Sequence, residues 1–233
     1  MSSEQQTTVD ALAEAAVAPV KSGMIVGLGT GRTATRGIKA LARRVKEERL
    51  DIRCVPTSEA SERLGKELGL KIVDFSLLER IDYLFDGADE VDRELRMLKG
   101  AGGAMTRERI VAWASDKCVY MVDSSKIVPR LGTRNTLGVA IMMFGMAAAR
   151  AEIRSLGLNG VWRRTIQGEL FVTDNGNLIL DVTLDDRNLE ELAAALNDIP
   201  GVIDHGLFLG EADEILVDTG SAIDRYKREE SQI

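Results

Sequence analysis

The sequence predicts an α/β fold: a mostly parallel sheet flanked by helices, with a smaller α+β unit near the C-terminus. Three observations carry this. Through about residue 130, short apolar runs alternate with amphipathic stretches at the spacing of βαβ units. Beyond it the order becomes strand, helix, two strands around an Asn-Gly turn, helix and strand, the βαββαβ pattern of a ferredoxin-like unit. Glycine-rich turns also follow several of the apolar runs, at the carboxyl ends where an open parallel sheet binds ligands.

Taken in order, Ala11 to Val20 reads as a helix ended or bent near Pro19, which lacks an N–H and clashes with the preceding turn. Gly23 to Leu28 reads as a strand, and Thr33 to Lys46 as a helix with Ile38, Leu41 and Val45 along one side. Ile52 to Val55 is the next strand. Thr57 or Ser58 can cap the helix after it, where Leu64 and Leu68 stand four apart. Lys71 to Val73 and Ile81 to Phe85 read as strands, Ala104 to Ser115 as a helix and Cys118 to Val122 as a strand. Val139 to Arg154 reads as one long apolar helix or as a strand followed by a helix. Thr165 to Val172 and Leu178 to Leu184 read as paired strands, Leu189 to Leu196 as a helix and Val202 to Leu209 as a strand; Glu214 to Val217 is a last strand that could join either unit.

Composition narrows the function classes. The 233 residues are 45% hydrophobic and 29% charged, enough for a packed main domain and a small one. A net charge of -7 disfavours a nucleic-acid partner, whose backbone needs a basic surface, though not a small phosphorylated ligand. No apolar run is long enough to span a bilayer, and MSSEQQTTVD lacks the basic start and apolar core of a signal peptide, so a cytoplasmic protein without a membrane partner is expected. Cys54 and Cys118 read as reduced buried thiols. His205 is the only histidine and reads as structural, so acid–base chemistry falls to carboxylates and lysines.

Four segments could carry that chemistry. Gly27 to Thr33 follows a strand and opens a helix, and its glycines and helix N-terminus suit an anion, with Thr30 and Thr33 adding hydroxyls. Gly29-x-Gly31-x-x-Ala34 also fits a loose dinucleotide fingerprint. Asp86 to Asp92 places four acids past a strand end, which suits catalysis, a divalent cation or a solvated loop. Lys99 to Gly103 sets a lysine before a glycine-rich turn and a helix start. Within that helix, Glu108 has Ala104, Met105, Val111 and Ala112 as its three- and four-residue neighbours. That apolar stripe would desolvate its carboxylate and strengthen it as a base; the alternative is a glutamate complementing the helix dipole. Lys126 stands past another strand end, as a ligand contact or a surface lysine.

Together, GLGTGRTA (27–34), VPTS (55–58), DGADEVD (86–92), KGAGGAMTRERIVA (99–112), VDSSK (122–126), NGNLILD (175–181) and IPGVIDHGLFLGEAD (199–213) resemble the type A ribose-5-phosphate isomerases. The resemblance implies a Rossmann-like catalytic domain of residues 1–131 and 208–233, with a small α+β domain of residues 132–207 inserted near the C-terminus. It implies aldose–ketose interconversion of ribose 5-phosphate and ribulose 5-phosphate through a cis-enediolate, in the non-oxidative pentose phosphate pathway, without metal or organic cofactor, in a homodimer or homotetramer. Glu108 would be the base, Asp86 and Asp89 would handle hydroxyl protons and ring opening, and Lys99 would steady the oxyanion. Thr30, Gly31, Arg32, Thr33, Asp86, Gly87, Ala88, Asp89, Lys99, Gly100, Ala101, Gly102 and Lys126 would contact the sugar phosphate. The chain departs from the family pattern at Arg32, usually serine, and at Ala101, usually glycine.

Overall fold

The computed structural model describes residues 10–228. Asp10 caps α1 (Ala11–Val17) by accepting from Ala13 N–H at 3.1 Å, and the helix ends two residues before Pro19. Then follow β1 (Ile25–Leu28), α2 (Gly31–Glu48), β2 (Arg53–Pro56), α3 (Glu59–Glu67), β3 (Tyr83–Gly87), β4 (Glu90–Val91), β5 (Met97–Leu98), α4 (Met105–Trp113) and β6 (Cys118–Asp123). Strands β1, β2, β3 and β6 lie parallel in the order β6-β3-β1-β2. Every residue of β3 is buried, as expected of a strand covered by helices on both faces. Helix α2 starts two residues earlier than the apolar periodicity suggests, because Thr30 is extended and serves as its N-cap. Ser58 rather than Thr57 caps α3, in a reciprocal box with Ser61.

The rest of the chain builds β7 (Leu137–Met142), α5 (Met146–Ser155), β8 (Gly160–Trp162), β9 (Asn177–Val182), α6 (Leu189–Asn197), β10 (Val202–His205), β11 (Leu207–Phe208), β12 (Glu214–Asp218) and β13 (Ile223–Lys227). The segment from β7 to β10 has the βαββαβ order and forms an antiparallel sheet, β10-β7-β9-β8. It packs over its own apolar core, which includes Val139, Ile153, Leu180, Leu192 and Leu196. Strand β12 returns to the large sheet parallel to β6, and β13 closes that edge antiparallel to β12. Among the described residues, no helix is long and apolar enough to cross a membrane.

Of the two readings of Val139 to Arg154, the strand followed by a helix is the one observed, with a 3-10 turn at Met143–Gly145 between them. Three expectations need correcting. Thr165 to Val172 is not a strand: Gly168, at φ 85°, reverses the chain, Thr165 bonds across to Glu169, and only isolated bridges at Leu170 and Val172 remain. Lys71 to Val73 contributes a single bridge, Ile72 to Cys54. Val202 to Leu209 breaks at Gly206, where the chain leaves the antiparallel sheet and pairs β11 with β5 in a three-stranded sheet, β11-β5-β4. A Cβ at Gly206 would stand 2.1 Å from the Lys99 carbonyl oxygen, so only glycine permits this crossing.

Candidate functional site

The carboxyl ends of β1, β3 and β6 open into one cleft of about 620 Å³. Thr30 to Thr33, Gly87 to Asp89, Lys99 to Gly102, Glu108 and Lys126 all line it. Stretches far apart in the sequence therefore meet at the place a parallel sheet reserves for ligands.

The β1–α2 loop is held from below by Asp86. Its Oδ1 accepts from Thr30 N–H at 2.9 Å and from Gly87 N–H at 2.7 Å. Gly29 makes this approach possible, since a Cβ there would lie 2.2 Å from Asp86 Oδ1. The Thr30 hydroxyl does not cap α2 but bonds Thr57 and Ser58 at 2.7 and 2.8 Å. The first turn of α2 consequently presents its backbone N–H groups beside Arg32 and Thr33, the geometry that favours an anion.

Lys99 stands at the centre. Its backbone N–H is tied to Gly206 O at 2.9 Å, and its ammonium is buried. Nζ lies 3.0 Å from Asp86 Oδ2, donates to Gly87 O, and faces the rings of Tyr120 and Phe208 at 5.3 and 5.6 Å. Burial disfavours this cation, but Asp86 and then Glu108 outweigh it and hold the ammonium charged well beyond the ordinary lysine range. Glu108 Oε2 is 3.4 Å away, within ion-pair range yet not aligned to accept a hydrogen bond, and has no such partner. Burial raises the Glu108 carboxyl above the usual glutamate value; Lys99 opposes the rise, and Asp86 and Asp89 add to it. Burial raises Asp86 in the same way, against the pull of Lys99 and of its N–H donors.

Asp86 is thus brought to the cluster but beneath it: fully buried, it does not line the cleft. Asp89 does, half-buried, and its Oδ2 accepts from Ala101 N–H at 2.9 Å. Ala101 itself has no positive φ; Gly100, at 107°, makes the turn, so alanine is accommodated without strain. His205 is buried outside the cleft lining, with Nδ1 accepting from Leu207 N–H at 3.2 Å. Cys54 and Cys118 are buried free thiols, both pushed up to about 12 by burial.

Two lining residues, Arg36 and Asn135, escaped the sequence reading, and a third, Asp123, lay in the quoted VDSSK segment without being singled out. Arg36 lies one turn beyond Arg32 on α2, gripped by both oxygens of Asp10 at 2.5 and 2.8 Å; its spacing from Arg32 was the available signal. Asp123 ends β6. Asn135 is set by Glu90, a buried carboxylate that accepts from the Gly132, Arg134 and Asn135 N–H groups at 2.6–2.7 Å. No local pattern links positions 90 and 135. Among the described residues, no group of three or more His, Cys, Asp or Glu side chains is placed to hold a metal ion.

The chain is similar to known proteins along most of its length. The family model for ribose 5-phosphate isomerase A (phosphoriboisomerase A) matches residues 53–221. The ribose-5-phosphate isomerase A of Sphingopyxis alaskensis is 42% identical over 217 residues, covering 93% of this chain and 94% of its own. That of Gluconobacter oxydans is 44% identical over 211 residues, covering 89% and 91%. Among solved structures, the Methanocaldococcus jannaschii ribose 5-phosphate isomerase A matches with a TM-score of 0.89 at 34% identity, across 93% of this chain and 96% of its own. A D-ribose-5-phosphate isomerase in complex with phospho-erythronic acid matches with a TM-score of 0.88 at 31% identity, again across 93% and 96%.

Proposed function

The chain belongs to the ribose 5-phosphate isomerase A family, and we propose that it interconverts ribose 5-phosphate and ribulose 5-phosphate in this cleft, with Glu108 moving the proton. One observation carries the assignment of roles: a buried ammonium, Lys99, held by Asp86 on one side and facing an under-bonded carboxylate, Glu108, on the other.

The Glu108 carboxylate takes the C2 proton of the open-chain aldose. The C–H electron pair forms the C1=C2 bond of a cis-enediolate, and negative charge collects on O1. Lys99 has three N–H donors; Asp86 and Gly87 O occupy two, leaving the third for that oxygen. The O2 hydroxyl proton then passes to O1, the O2 electron pair forms C2=O, and the C1=C2 pair takes the proton back from Glu108 at C1. A base whose pKa burial has raised is better matched to a carbon acid near neutral pH than an ordinary glutamate. Asp89, in the cleft wall, exchanges the hydroxyl protons and opens the ring, while Asp86 fixes Lys99 and the β1–α2 loop from below. The phosphate sits on the α2 N-terminus between Arg32, Arg36 and Lys126.

Residues 10–131 and 208–228 make the catalytic unit in this reading, and 132–207 the smaller one. Self-association goes with it: Met142, Met143 and Phe144 project from the small sheet, Phe144 fully exposed, and a second copy of the chain would cover them. A monomer by light scattering at micromolar concentration would remove that part.

The direct test is conversion of ribose 5-phosphate in D₂O. Ribulose 5-phosphate should form and carry deuterium at C1, because the protonated base exchanges with solvent before delivery. Product with no deuterium, together with turnover by Glu108→Gln within about threefold of wild type, would replace proton transfer through Glu108 by a hydride shift.

A further inference from the structure

A side chain of the small antiparallel unit, Arg163, braces a turn of the cleft wall from outside the cleft. Arg163 follows β8, and its guanidinium is anchored on Asp181 of β9, Nε to Oδ2 at 2.9 Å and Nη2 to Oδ1 at 2.5 Å. The free end, Nη1, donates to the carbonyl oxygens of Gly100 and Ala101 at 2.6 and 3.1 Å. These carbonyls belong to the turn that follows Lys99 and lines the cleft. Gly100 O also accepts from Gly103 N–H at 3.0 Å, which closes the turn.

Holding those two carbonyls has a consequence for the amides beyond them. In a trans peptide, the form found throughout the described residues, C=O and N–H point in opposite directions. With Ala101 C=O drawn to Arg163, the Gly102 N–H is turned away from it. That N–H has no hydrogen-bond partner among the described residues, and Gly102 faces Thr30 across the cleft. The preceding amide, Ala101 N–H, is turned onto Asp89. Neither Arg163 nor Asp181 lines the cleft.

We propose that Arg163, anchored by Asp181, is a positioning residue for the isomerisation: it sets the Gly100–Gly102 turn so that the Gly102 N–H and Lys99 converge on the enediolate oxygens and Ala101 holds Asp89 in place. The proposal rests on the reading of the cleft given above. A preorganised N–H stabilises charge that develops in the transition state more than it stabilises bound substrate. Loss of the clamp therefore lowers kcat with little change in KM.

The experiment compares wild type with Arg163→Met, Arg163→Lys, Asp181→Asn and the double variant Arg163→Met/Asp181→Asn. Each is measured for kcat and KM with ribose 5-phosphate, for Kd of phospho-erythronic acid by calorimetry, and for thermal midpoint. The acid carries a carboxylate where the enediolate carries its two oxygens. For Arg163→Met, kcat is expected to fall at least tenfold, the Kd of the acid to rise by a similar factor, and KM to stay within threefold. Lysine, able to reach one carbonyl, should restore part of the loss. Asp181→Asn should fall in the same direction, and the double variant should be no worse than Arg163→Met, since Asp181 acts only through Arg163. Unchanged kcat and Kd in Arg163→Met would overturn the proposal. So would losses in kcat, KM and thermal midpoint that move together without lysine rescue, which describe a merely structural residue. Calorimetry does not depend on turnover, so a wild-type chain that binds the acid without isomerising would sink the Glu108 mechanism and still leave the Arg163 comparison readable.

Discussion

Glu108 and Arg109 are consecutive on α4, both ionisable and both largely withdrawn from water, yet the fold treats them in opposite ways. Arg109 is saturated. It pairs with Asp204 at 2.7 Å and with Glu211, donates to His205 O and Leu207 O at 2.7 and 2.9 Å, and stacks over Phe208 at 4.1 Å. Glu108 has a lysine nearby and an oxygen without a hydrogen bond. Tyr120 OH, Thr165 Oγ1 and His205 Nε2 are also buried without partners, but none of these residues lines the cleft. A buried ionisable group that the fold fully satisfies joins elements together; one left under-bonded at a cleft costs stability and is the candidate for chemistry.

The contrast breaks most directly at Glu108. Glu108→Gln keeps the shape and removes the base, so kcat should fall about 10²–10⁴-fold while the thermal midpoint holds or rises. A variant within about threefold of wild-type turnover would end the base assignment.

Acid should separate the two regions next. Burial, with the Arg109 charge adding to it, depresses His205 from 6.5 to about 4. The unfolded chain protonates this histidine as pH falls through 6.5 and the folded chain does not, so stability is lost down to about pH 4, by about 3 kcal/mol at most. Glu108 carries the opposite sign. Its raised pKa makes the folded chain hold a proton the unfolded one has released, so its contribution to stability declines as pH rises above the ordinary glutamate value. Urea midpoints across about pH 4 to 9 read both. His205→Gln should flatten the acid limb, and the gap between Glu108→Gln and wild type should widen with pH. Parallel curves for all three proteins would erase the distinction.

Arg109→Met should cost about 2–3 kcal/mol in urea unfolding, since it strips charge-assisted bonds from one buried and one partly buried carboxylate, while kcat of the folded protein falls less than tenfold. A larger loss of kcat than of stability would move Arg109 into the catalytic group. The smallest effect is expected at exposed Arg32. Arg32→Ala should raise KM about fivefold with kcat unchanged, because a solvent-screened phosphate contact is made equally in ground and transition states. An unchanged KM would leave the phosphate to the α2 N–H groups, Arg36 and Lys126.

What could be read from the sequence follows from the range of each interaction. Helix α2, strand β3 and the glycine turn after Lys99 declare themselves within a dozen residues, through apolar spacing and glycine placement; the βαββαβ order of the small unit was legible as well, but its second strand was placed at Thr165 to Val172, whereas the structure has it at Gly160–Trp162. The burial of Glu108 was legible too, since Met105, Val111 and Ala112 share its face. Strand β13 was missed because IDRYK, on the exposed edge of the sheet, has almost no apolar signal. The split at Gly206 and the Glu90–Asn135 bond depend on partners far away in sequence, and no periodicity reports such contacts. Arg163 was missed for the same reason: its two carbonyl partners lie some sixty residues upstream.

Gly206 has a further consequence, in time rather than in space. The Lys99 backbone bonds to it, and β5 pairs with the two residues after it, all more than a hundred residues downstream of the lysine. On a ribosome adding about 5–20 residues per second, that partner appears some 5–20 s after Lys99 is made. Asp86, Lys99 and Glu108 are all translated long before the strand that seats the lysine among them. A polypeptide released ahead of Gly206 would carry all three of these side chains without the backbone partner that seats Lys99 between the other two.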